Sequence, residues 1–175
     1  MSGYSRGNPR MGDVLRSVLV LGGVVLLFWF VGQRLFATTP EHPTADVDWQ
    51  TAASGVPRQA GFVALAPASL PEGWRATTAR VVDGRWQLGL VTDDDEYVGV
   101  SQATTTVDAL VRDRVPDSKA AGDVEIDGVT WQRRTGPDGD FTVVRADGEQ
   151  AVLVTGSATR DVVEDLAGSL RPYST

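Results

Sequence analysis

Cysteine is absent from this 175-residue chain, which rules out disulfides, thiolate metal sites and lipid attachment through an N-terminal cysteine. His42 is the only histidine and stands between Glu41 and Pro43. One histidine in a proline-flanked linker makes neither a Ser/His/Asp triad nor a histidine-rich zinc site. Lys119 is the sole lysine. Its neighbour Ser118 suggests a Ser/Lys pair, but adjacent residues on a polar loop after Pro116 do not face one another as nucleophile and base. Basic charge is scarce, with 16 Lys+Arg against 23 Asp+Glu and a net charge of −7. Over positions 38–175 the balance is 12 against 22, or −10, so this portion is repelled by nucleic acid and by anionic headgroups. No catalytic constellation, metal-ligand cluster or cofactor signature is left, and the expectation is a protein that is not an enzyme and carries no cofactor.

What the chain does have is one long apolar run. Ser17 to Gln33 (SVLVLGGVVLLFWFVGQ) is uncharged between Arg16 and Arg34. As a helix it spans roughly 26 Å, and Val14, Leu15, Leu35 and Phe36 extend it to the about 30 Å of a hydrocarbon core if the two arginines snorkel. It is apolar on every side, unlike a surface helix packed on a core. Trp29 and Phe30 fall toward its C-terminal end, where aromatic side chains favour the membrane interface. Gly22 and Gly23 lack the small-xxx-small spacing of a helix-dimer motif. A cleaved signal peptide is the rival reading, but the run exceeds an ordinary h-region and Arg34–Thr39 offers no small-x-small cleavage site. Arg6, Arg10 and Arg16 precede the span against Asp13 alone, which places the N-terminus in the cytoplasm. The expected organisation is a cytoplasmic tail at 1–13, a single-pass transmembrane signal-anchor at 14–36, a spacer at 37–46 and an extracytoplasmic domain at 47–175, held at the plasma membrane.

Beyond the spacer the periodicity predicts an α+β domain. Val47–Ser54 reads as a short helix with Asp46 or Asp48 as N-cap, and Phe62–Pro71 as an extended stretch broken by Pro67 and Pro71. Trp74–Val82, Trp86–Thr92 and Tyr97–Ala103 alternate as half-buried strands. Val124–Ile126, Val129–Arg134, Phe141–Ala146 and Ala151–Thr155 form a second series. The separators Asp83-Gly84, Asp127-Gly128, Asp138-Gly139 and Asp147-Gly148 are hairpin signals. Thr106–Val115 and Asp161–Leu170 have helical spacing, the second with Thr159 as N-cap. The two series align at an offset of 55, matching Trp86 with Phe141, Thr104 with Thr159 and Val107 with Val162. The expected architecture is an antiparallel meander of about seven strands with two amphipathic helices on one face.

Two features are candidates for chemistry. Asp93-Asp94-Asp95-Glu96 lacks the alternating spacing of a calcium loop and reads as a solvated hairpin turn. Trp49, Trp74, Trp86 and Trp131 are candidates either to stack a ligand or to pack the domain.

Several segments together resemble one family: Arg10–Val14 running into the span, Val47-Asp48-Trp49, Ala66-Pro67, Leu70–Thr77 (LPEGWRAT), Leu88-Gly89-Leu90, Tyr97-Val98, Gly128–Trp131 and Val154-Thr155-Gly156. The chain beyond residue 10 is similar to the actinobacterial domain of unknown function 4245, small single-pass membrane proteins. The resemblance implies a Gram-positive cell envelope and an exported domain, and it supplies no activity and no catalytic residue. The favoured function is a non-enzymatic binding or interaction module of the envelope with a protein partner. Two alternatives are a tethered carrier or sensor of a small apolar ligand such as a lipid, and a carboxylate-based hydrolase of wall polymers.

Overall fold

A computed structural model describes residues 47–173. The expected tail, span and spacer, with Ser17, Trp29, Phe30 and Gln33, lie outside the described residues. Among the described residues no helix is long and apolar enough to cross a membrane.

The domain opens with α1 (Trp49–Ala60). Asp48 is its N-cap and accepts the Thr51 N–H at 3.0 Å. The helix continues past Ser54, where the sequence suggested its end. Pro57 removes one backbone donor near the last turn, while Ala53 and Val56 are buried and hold the helix down. Gly61, at φ 79°, ends it in the left-handed conformation that glycine adopts without steric cost.

Nine strands follow among the described residues, all paired antiparallel. They are β1 (Leu65–Pro67), β2 (Arg75–Val82), β3 (Arg85–Val91), β4 (Tyr97–Ala103), β5 (Lys119–Ile126), β6 (Val129–Thr135), β7 (Phe141–Asp147), β8 (Gln150–Gly156) and β9 (Leu170–Pro172). Helix α2 (Val107–Arg114) follows β4, and α3 (Arg160–Ser169) follows β8. Seven strands form one sheet in the order β2-β3-β4-β8-β7-β6-β5, and β1 pairs with β9 in a separate two-stranded ribbon. The sheet is two meanders joined along β4 and β8, not a single meander.

Among the described residues the helices are three, and they do not share a face. Alternation along β8 sends Val152 and Val154 into the main core with α1 and α3, through Val56, Val163 and Leu166. Ala151 and Leu153 point the other way, against Leu110 and Val111 of α2. The chain leaves the central β4 and must reach the far edge strand β5, and it crosses on the second face. The buried run Ala151–Val154 is the trace of this in the sequence, because a strand covered on both faces needs no polar side.

The Asp83-Gly84 and Asp127-Gly128 turns form as expected, with positive φ at both residues. The last hairpin differs by one position. Asp147 pairs with Gln150, so Gly148-Glu149 is the loop. β5 also starts five residues earlier than the sequence suggested, because a bulge between Ala120 and Asp123, with Gly122 at φ 90°, hides its alternation.

Candidate functional site

The four tryptophans divide into two kinds. Trp86 is fully buried, and its indole N–H donates to the Leu65 carbonyl at 3.2 Å. Trp131 is buried beneath the Arg145 guanidinium, which lies 5.0 Å from its ring centre. Trp49 and Trp74 instead meet in one open groove of about 380 Å³.

This groove is assembled from three pieces of chain. The N-terminus of α1 brings Val47 and Trp49, the turn before β2 brings Leu70 and Trp74, and the start of β2 brings Arg75 and Ala76. The Val47 N–H donates to the Ala76 carbonyl at 3.3 Å, tying the incoming chain to the outer edge of β2. The Trp49 ring is fixed by an edge-on contact with Tyr173, at 5.7 Å between centres and 68° between planes. Trp74 is half-buried. The groove therefore has one aromatic wall that belongs to the core, Trp49 at 7% exposure, and one that is half-buried, Trp74.

Its charged components are the Asp48 carboxylate and the Arg75 guanidinium. Hydrogen bonds from Thr51, side chain first and then backbone N–H, hold the Asp48 carboxyl below the usual carboxylate range, outweighing a small opposing effect of desolvation. A depressed folded-state pKa stabilises the fold above the unfolded value of about 3.9, and this contribution disappears as pH falls through the folded value. Asp48→Ala is therefore expected to be less stable than the parent near neutral pH, with the two urea midpoints converging below about pH 4. Arg75 reaches Asp95 at 2.9 Å, the arginine partly covered and the carboxylate largely exposed.

The Asp93–Glu96 run is the hairpin turn between β3 and β4. The Thr92 N–H donates to the Glu96 carbonyl at 2.9 Å, and the Thr92 hydroxyl accepts the Glu96 N–H at 3.1 Å. Ser118 does not partner Lys119. Its hydroxyl and carbonyl accept Arg134 Nε and Nη2 at 2.8 and 2.7 Å, and Lys119 begins β5. Arg133 and Glu164 form a two-pronged bridge of 2.7 and 3.0 Å from β6 to α3, which raises the already high arginine pKa. A hollow of about 60 Å³ lies beside this pair, enough for a water or two. The main core packs between α1, α3 and the sheet. Among the described residues no group of His, Cys, Asp or Glu is placed to hold a metal ion.

Sequence reasoning passed over Gln102 and Arg145. Both lie on core-facing positions of otherwise apolar strands, and that break in alternation was the available signal.

A sequence profile described as "Protein of unknown function (DUF4245)" matches residues 6–170. No curated protein matches the chain. Among solved structures, a chain of the Pseudomonas aeruginosa MucA/MucB complex aligns at 20% identity and a TM-score of 0.38. The alignment covers 65% of this chain and 36% of that one, so this chain spans about a third of its length.

Proposed function

The chain belongs to the DUF4245 family, and on that premise we propose that it is a non-enzymatic interaction module, carried on a single membrane span and exposed outside an actinobacterial plasma membrane, that binds a protein partner through the Trp49–Trp74 groove. The observation that carries this reading is the convergence of two tryptophans, distant in sequence, on one open groove. Aromatic anchors set in a hollow with a polar surround are the common energetic centre of protein interfaces. A volume of about 380 Å³ suits one or two apolar side chains of a partner. The anchor rests on the Ser17–Gln33 run and the arginines before it.

A lipid carrier is less well supported, because the main core packs between α1, α3 and the sheet and the hollows that remain beside it are open ones with charged groups in their walls. A hydrolase would require two carboxylates held across a cleft. The most concentrated acids here are exposed on the Asp93–Asp95 turn.

The absence of cysteine makes the test clean. Ser69→Cys puts one thiol at the groove, and a membrane-impermeant bifunctional maleimide applied to intact cells should give a discrete crosslinked partner. Adding Trp74→Ala should reduce that product by about tenfold or more, the range of a lost interface anchor, without lowering the amount of chain. No reaction of the thiol in intact cells would refute the outward orientation. A crosslink indifferent to Trp74→Ala would refute the groove.

A further inference from the structure

One row of side chains crosses the inner face of the seven-stranded sheet. Register places Val81, Trp86, Gln102, Val152 and Arg145 side by side, and the Arg145 guanidinium lies over Trp131, which pairs with Val124. Each half of the row thus sets a tryptophan beside a long polar side chain: Trp86 with Gln102, and Trp131 with Arg145.

The first pair holds an extended piece of this chain. Gln102 accepts the Leu65 N–H at 2.7 Å and donates to the Val63 carbonyl at 3.1 Å, while Trp86 donates to the Leu65 carbonyl. A segment lying across the sheet is gripped there by its backbone.

The second pair faces a hollow of about 330 Å³ with Ile126, Val129, Ala167 and Leu170 among its walls. Arg145 donates from Nη1 to Asp147 at 2.8 Å and to the Ala146 carbonyl at 3.3 Å. Its Nε is buried and has no acceptor among the described residues, a costly state for a charged donor. Glutamine grips both an N–H and a carbonyl, whereas arginine offers only donors, in a fork that fits two oxygens of one group.

We propose that this hollow is a second contact site of the interaction module, and that it takes an extended segment of a partner protein presenting a carboxylate next to an apolar side chain. The carboxylate lies on the Arg145 guanidinium above Trp131, and the apolar side chain lies against Val129, Ile126 and Leu170. This assignment rests on the interaction reading but uses a different surface from the Trp49–Trp74 groove.

The test uses the full-length ¹⁵N-labelled chain in detergent micelles. A buried arginine Nε–H exchanges slowly with water, so the Arg145 Nε–H and Trp131 indole N–H signals can both be followed. Acetyl-Ala-Leu-Glu-Leu-amide should shift both signals saturably. The glutamine counterpart should bind about tenfold or more weakly, as expected for loss of a charge-assisted hydrogen bond. Arg145→Met should abolish the glutamate-dependent part, and Arg145→Lys should weaken it. The peptide pair on the unaltered chain decides the matter even if either variant folds poorly. Equal binding of the two peptides, no saturable shift, or a stronger response to inorganic phosphate or decanoate would overturn the assignment. Failure here with the Trp74-dependent crosslink intact would remove this site alone, and loss of the crosslink with peptide binding intact would remove only the groove.

Discussion

Trp86→Ala is expected to lower stability by about 4–5 kcal/mol, the largest loss from any aromatic truncation in this domain. Trp86 is completely buried at the centre of the main core, so truncation opens a cavity that rigid strands on both sides cannot close. The indole N–H is also the donor for the Leu65 carbonyl, and removing it leaves a buried acceptor unpaired. For a domain of this size the thermal midpoint should fall by roughly 12–20 °C. Trp86→Phe separates the two causes, since it keeps most of the volume and loses the donor; about 1–2 kcal/mol is expected there. Because Trp86 and Gln102 together hold the Val63–Leu65 segment, amide exchange in β1 and β9 should rise more than in β7. Uniform acceleration across all strands would show that the indole serves only as core volume.

The parts of this fold that could be read from the sequence are those fixed by neighbouring residues. Asp83-Gly84 and Asp127-Gly128 announce their turns because two successive residues at positive φ demand such a pair. Thr106 announces α2 because its hydroxyl accepts the Ala109 N–H. What escaped depends on distant chain. The opposite placement of α2 and α3 follows from where β5 sits, not from either helix. The β1–β9 ribbon is three residues wide and carries prolines at Pro67 and Pro172, so no alternation marks it. The two series share an element order, β2-β3-β4-α2 and β6-β7-β8-α3, and differ in spacing. Trp86 and Phe141 keep the offset of 55, whereas the helix caps are Thr106 and Thr159, 53 apart. The candidate site was half visible. All four tryptophans were candidates on composition, but only the folded chain shows that Trp49 and Trp74 line one groove, that Trp131 lines the hollow beside Arg145, and that Trp86 is enclosed in the core.

The seam between the two meanders is where a single methyl group should do most harm. Gly156 lies in β8 opposite Val98 of β4 and Phe141 of β7. A Cβ at this position would collide with the Tyr97 carbonyl and approach the Val98 Cα, both backbone atoms with no rotamer to give way. The Tyr97 carbonyl also accepts the Ala158 N–H at 3.3 Å, so displacing it costs a hydrogen bond just before α3 begins. Gly156→Ala is therefore expected to lose about 3–5 kcal/mol, at the top of the range for one substitution. Gly99→Ala, on the neighbouring strand, is the control. The atoms nearest its new methyl are those of the Tyr97 ring and hydroxyl, and that side chain is 44% exposed and free to swing into solvent. A loss of about 1 kcal/mol or less is expected, mostly the packing of Tyr97 over the paired Gly89 and Gly99. Urea midpoints of the two variants measure the contrast directly. Equal losses would mean that β4 and β8 can part by a few tenths of an ångström without consequence, and the two meanders would then be joined by side-chain packing on their faces, not by the β4–β8 ladder.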